Sequence, residues 1–174
     1  LRQMFSALNF YAQDFGGWIP PHTNTVPGVN AYWINYLTPY SQPPTWNVVK
    51  NYIDNPQVAF CPSQTAQPAG GVLRGSYGIN PKLYIDPTLG FNWTKQDSQT
   101  PRQVYYALFH AHRGAEVYLL GDTTIASSGF GNPLFTNGSP VTTQVDFRHH
   151  KLRVNIVFND GHVDSRLPGE VPSS

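Results

Sequence analysis

The chain has 174 residues, 40% apolar and 12% charged, with a formal net charge of +1; this suits one globular domain and disfavours both disorder and a phosphate-binding surface. Its longest uninterrupted apolar run, Val104 to Phe109, falls far short of the roughly 20 residues a bilayer span needs. Its one cysteine, Cys61, excludes a disulfide framework within the chain.

Leu1, Met4, Phe5, Leu8, Tyr11, Ala12 and Phe15 recur at helical spacing and predict a helix over 1–15 with one apolar face. Gly16-Gly17 stops it and Pro20-Pro21 forbids continuation. The helix lacks an N-cap at Leu1, which is read as a helix continuing from something longer. Shorter helices are expected at 29–37 and 46–52, and Ser41 to Pro44 and Ala66 to Gly71 read as loops. Short strands are expected at 58–60 and 76–79, each stopped by a proline. Residues 103–110 fit helix or strand, and 116–120 reads as a buried strand ending at Gly121-Asp122.

Leu152, Val154, Ile156 and Phe158 alternate with Arg153, Asn155, Val157 and Asn159, and Asp160-Gly161 follows. That pair predicts a two-residue type I′ hairpin with Asn159 facing His162, Phe158 facing Val163 and Val154 facing Leu167. A helix before strands, rather than alternating with them, predicts an α+β fold with an antiparallel sheet, in one domain over 1–174.

Chemistry-bearing side chains crowd into 142–168: His149, His150, Asp160, His162 and Asp164. A divalent metal site or a His/Asp acid–base pair is the sharp interpretation, and a polar hairpin tip is the plain one. No ligand spacing with a known mechanism occurs. His150 has the parity of the apolar face while His162 and Asp164 have the other, so the cluster is expected to be structural and to hold no catalytic metal. No nucleophile elbow or phosphate loop is present, and Gly70-Gly71 and Gly129/Gly131 read as turns. Cys61 has no charged residue within five positions and reads as a buried thiol. Trp18, Trp33, Trp46 and Trp93 offer a carbohydrate-stacking face as one alternative, and core or loop anchoring as the commoner role.

The blocks also form an ordered series. Arg148-His149-His150 followed by Asp160-Gly161-His162-Val163 resembles the H-x9-D-G signature of prepilin-like proteins, the pseudopilins of the type IV pilin and type II secretion superfamily; His150 satisfies the count. Leu1-Arg2-Gln3 and then Tyr11-Ala12-Gln13-Asp14 with Gly17 and Pro20-Pro21, Phe60-Cys61-Pro62-Ser63, Ser76-Tyr77-Gly78-Ile79-Asn80, and Val117 to Asp122 resemble further family blocks in family order. The resemblance implies structural roles for Cys61, Pro62, Tyr77, Asn80, Asp122, His150, Asp160 and Gly161. It implies a pilin-like α+β head, without enzymatic activity, belonging to a subunit of a secretion pseudopilus or a related fibre. It also implies a precursor whose short leader is cut by a prepilin peptidase that N-methylates the new terminus, anchored in the bacterial inner membrane by an upstream apolar helix, with its head in the periplasm or at the cell surface. Partners would be like subunits and the secretion machinery, and no nucleic acid. No cofactor is implied apart from the calcium some family members hold on Asp and carbonyl oxygens. The alternatives weighed are a metal-dependent hydrolase using the His/Asp cluster and a carbohydrate-binding module.

Overall fold

The computed structural model describes residues 1–15, 17, 19–20, 23–26, 29–38, 51–64, 76–80, 115–124 and 145–171. The expected helix forms as α1, Arg2–Asp14, and buries Met4, Ala7, Leu8, Tyr11 and Ala12. Phe5 is only partly buried, and Phe15, expected on the apolar face, caps the helix with half its surface exposed. Phe15 instead lays its ring on Tyr11, 4.3 Å between centroids. Gly17, at φ 93°, turns the chain and donates its N–H to the Ala12 carbonyl at 2.6 Å, satisfying an orphan acceptor of the last turn.

Two strands, β1 (Thr23–Val26) and β2 (Val29–Tyr32), pair antiparallel, and a 3-10 turn at Trp33–Tyr36 follows. This corrects the helix expected over 29–37. Thr23, Thr25, Val26 and Val29 are β-branched, and the Pro27-Gly28 dipeptide between the strands is a turn signal that outranks the helical spacing. Residues 58–60 are likewise not a strand: Pro56–Ala59 is a 3-10 turn whose cap, Asn55, accepts the Gln57 N–H through Oδ1 at 3.0 Å.

The main sheet is antiparallel with strand order β3 (Tyr77–Ile79), β4 (Tyr118–Asp122), β5 (Val154–Phe158) and β6 (Val163–Arg166). Helix and sheet together give the α+β class. Leu8 and Tyr11 of α1 share one apolar cluster with Ile79, Leu120 and Val157. Tyr118, Val154, Ile156 and Phe158 form a second cluster with Val145. The sheet is therefore covered on both faces, which is why Val157 is buried despite its polar-face parity. A register shift between Tyr118 and Leu120 carries β4 from one cluster to the other. The strand expected to end before Gly121-Asp122 runs through both, so Asp122 is carried into the interior at 1% exposure.

The terminal hairpin forms, but with another turn. Phe158 N–H donates to the His162 carbonyl and Gly161 N–H to the Phe158 carbonyl, each at 2.9 Å, closing a three-residue loop over 159–161. Among the described residues of this loop only Gly161 has positive φ, at 90°. This is a type I turn followed by a left-handed glycine, not the type I′ turn. The extra loop residue slips the pairing by one, so Val157 faces Val163, Val154 faces Arg166 and Phe158 lies beside His162. Asp160 favours this closure, because its Oδ1 accepts the His162 N–H at 3.1 Å. The expectations for 103–110, Ser41 to Pro44, Ala66 to Gly71, Gly70-Gly71, Gly129, Gly131, Trp18, Trp46 and Trp93 lie outside the described residues, as does most of the helix expected over 46–52, whose described end at Asn51 and Tyr52 is not helical. Trp33 is fully buried and is a core anchor.

Candidate functional site

Three elements meet beside the first turn of α1. Cys61 follows the Pro56–Ala59 turn, and its N–H donates to Ser76 Oγ at 2.9 Å. Asp122 ends β4, where its Oδ2 accepts the Asn155 N–H of β5 at 2.9 Å. His149 precedes a tight turn whose ends close on each other: His149 N–H donates to the Arg153 carbonyl at 3.1 Å, and Arg153 N–H returns the bond at 3.4 Å. His149 Nε2 then lies 3.0 Å from Asp122 Oδ2 and 3.7 Å from Cys61 Sγ. One donor atom from each of the three residues falls within 4.8 Å of the others. An open cleft of about 620 Å³ lies against this group, with Arg2, Gln3, Pro62, Tyr77 and Ser165 among its walls.

Arg148 supports the group from the side. It pairs with Asp146 at 2.8 Å, donates to Gln64 Oε1 at 2.8 Å and reaches the Thr123 carbonyl. Asp122 Oδ1 is buried with no hydrogen-bond partner among the described residues. Burial pushes the Asp122 carboxyl above the usual carboxylate range, against the opposing pull of the Asn155 N–H, His149 and Arg148. Burial also pushes the Cys61 thiol up, and the charge of Asp122 adds to it. A thiol so placed is not an activated nucleophile. A relay triad is also absent at this site, because the carboxylate and the sulfur approach the same imidazole nitrogen rather than opposite ones.

The residues expected to cluster in the hairpin separate. His149 joins Asp122 and Cys61. His150 is exposed, not at the core edge, because Lys151 and Leu152 take left-handed φ of 60° and 55° and break the strand alternation. Asp160 and His162 pair at the tip, Nδ1 to Oδ1 2.6 Å, with both side chains about two-fifths exposed. His162 stacks flat on Phe158 with 4.2 Å between centroids. Asp164 pairs with Arg166 at 2.7 Å. Of the residues singled out by the resemblance, Cys61, Pro62, Tyr77 and Asp122 line the cleft. Asn80 instead stitches β3 to β4, donating from Nδ2 to the Tyr118 carbonyl at 3.0 Å. Gly161 lies under α1: a Cβ there would come within 2.6 Å of the Phe5 ring.

Sequence reasoning flagged all three members of the buried group, but never as one site. The available signal was an aspartate closing a continuous apolar strand, since a carboxylate in such a place needs partners. Compared with protein-family models, curated proteins and solved structures, the chain matches none.

Proposed function

We propose that the chain is the head of a pseudopilin-like structural subunit of a membrane-anchored secretion or pilus-type fibre. What supports this reading is one convergence. Cys61, Pro62, Tyr77, Asp122 and His149 come from four separate sequence blocks, yet all line the cleft with Leu1, Arg2 and Gln3 at the start of α1. Gly161 of the signature turn lies against Phe5 in the same helix. Four of the blocks that resemble the family thus converge on one place, beside the start of the helix. In such a subunit the helix continues upstream as the anchor and packs with like helices. The face of α1 turned from the core carries Phe10, 53% exposed, which suits a neighbouring subunit. Among the described residues no helix is itself long and apolar enough to cross a membrane. The proposed location is the inner membrane, with the head outside the cytoplasm, and the proposed partners are like subunits and the secretion machinery.

The test uses the protein as made in its own cells. Terminal-peptide mass spectrometry should find an N-methylated residue ahead of an apolar helix that leads into Leu1. A Phe10→Cys variant should give cross-linked multimers in isolated membranes. A terminus without an anchor, together with monomer only, overturns the reading.

A further inference from the structure

We propose that Cys61, Asp122 and His149 are three protein ligands of a zinc(II) site whose fourth position faces the cleft beside α1. This goes beyond the fibre reading and does not depend on it. It also departs from the expectation of a metal-free His/Asp cluster, because the ligand set is a different one.

The geometry carries the inference. Zinc bonds to sulfur at about 2.3 Å and to nitrogen or oxygen at about 2.0–2.1 Å, so tetrahedral ligands stand roughly 3.6 Å (S to N) and roughly 3.3 Å (N to O) apart. The observed separations are 3.7 Å for Cys61 Sγ to His149 Nε2 and 3.0 Å for His149 Nε2 to Asp122 Oδ2. Small side-chain shifts bring both to the ideal values. One nitrogen facing both a sulfur and a carboxylate oxygen is the arrangement of donors around a shared point. Asp122 is also a buried carboxylate, 1% exposed, whose Oδ2 faces His149 while its Oδ1 has no hydrogen-bond partner among the described residues, so a cation beside it would offset an unmet charge.

The donors choose the metal. A thiolate and an imidazole favour zinc over calcium or magnesium, which take oxygen ligands. The calcium that the resemblance allows therefore does not belong at this place. The supporting bonds are those that fix ligands in metal sites. The Asn155 N–H orients the Asp122 carboxylate, Ser76 holds the Cys61 backbone, and the 149–153 turn holds His149. Binding would displace the Cys61 proton to solvent and leave the imidazole N–H on Nδ1. With three protein ligands, the fourth position is left for water or a donor entering the cleft.

The experiment loads the untagged chain with cobalt(II) and, separately, zinc(II) after treatment with chelator. One equivalent of cobalt should bind, with a thiolate-to-cobalt charge-transfer band and the intense visible absorption of tetrahedral cobalt; zinc should abolish both. Zinc should also slow alkylation of Cys61 by at least tenfold. Cys61→Ser should remove the charge-transfer band, and His149→Gln should weaken binding by at least tenfold, each with circular dichroism unchanged. His162→Gln should bind like the parent. If a variant fails to fold, the parent spectrum and the alkylation protection decide alone. Binding without a thiolate band, no change in alkylation, or affinity lost with His162 overturns the site.

Discussion

Two histidine–aspartate pairs sit at opposite ends of the terminal hairpin, and the same chemistry does different things in each. At the tip, His162 and Asp160 meet at 2.6 Å in solvent. At the base, His149 and Asp122 meet at 3.0 Å with Asp122 inside the protein. The His162 N–H holds the Asp160 carboxyl below the usual range, whereas burial holds that of Asp122 above it. Contact distance is nearly the same, so solvent access sets the sign.

The largest effect should come from breaking the inner pair. Asp122→Ala takes the carboxylate from the Asn155 N–H, leaves His149 Nε2 only the weaker contact with Cys61 Sγ and opens a small cavity, for a loss of about 3 kcal/mol in urea unfolding. Next comes the backbone of the tip. Gly161→Val forces a β-branched residue to φ 90° against the Phe5 ring, for a loss of about 2 kcal/mol. Combining it with Phe5→Ala should recover the steric share but not the backbone share, which a double-mutant cycle separates.

The pH dependence sharpens the contrast, measured in chelator as unfolding free energy. Asp122 is raised, so the folded state binds the extra proton, and its contribution declines as pH climbs from the ordinary carboxylate value through the raised one. Asp160 is lowered, so its contribution is present above the ordinary value and is lost as pH falls through the depressed one. Asp122→Asn should therefore gain on the parent as pH rises above the ordinary carboxylate value, and Asp160→Asn should lose ground on the parent as pH rises toward that value from below. Parallel curves would show that solvent access does not separate the pairs. The smallest effect is Asp160→Asn at neutral pH, within about 0.5 kcal/mol, because an exposed pair contributes little.

The elements with repeated pattern were legible. Spacing marked α1, a continuous apolar run marked β4, and alternation marked β5. The turn at 159–161 was not, since Asp-Gly serves both a two-residue and a three-residue loop, and only the Asp160 bond to the His162 N–H favours the latter. The parity argument for His150 failed because it assumed an unbroken strand back to residue 150. The inner site was hidden because Cys61, Asp122 and His149 lie 61 and 27 residues apart in the chain, by difference of their numbers. The end of β4, the Cys61 bond to Ser76 and the 149–153 turn bring them together.

The left-handed pair Lys151 and Leu152 bends the chain between the histidines and the signature turn. The signature's nine-residue count ends on His150, which points into solvent, while its neighbour His149 occupies the interior position. The bend, not the residue count, decides which histidine reaches the interior, so sequence distance is a poor ruler there. The bend also leaves stability in reserve. Neither residue suits its backbone, and Leu152 presents 69% of its surface to water. A glycine at 152 would relieve a conformation that costs side-chain-bearing residues roughly 1 kcal/mol, giving protein engineers a place to strengthen the fold without touching its core.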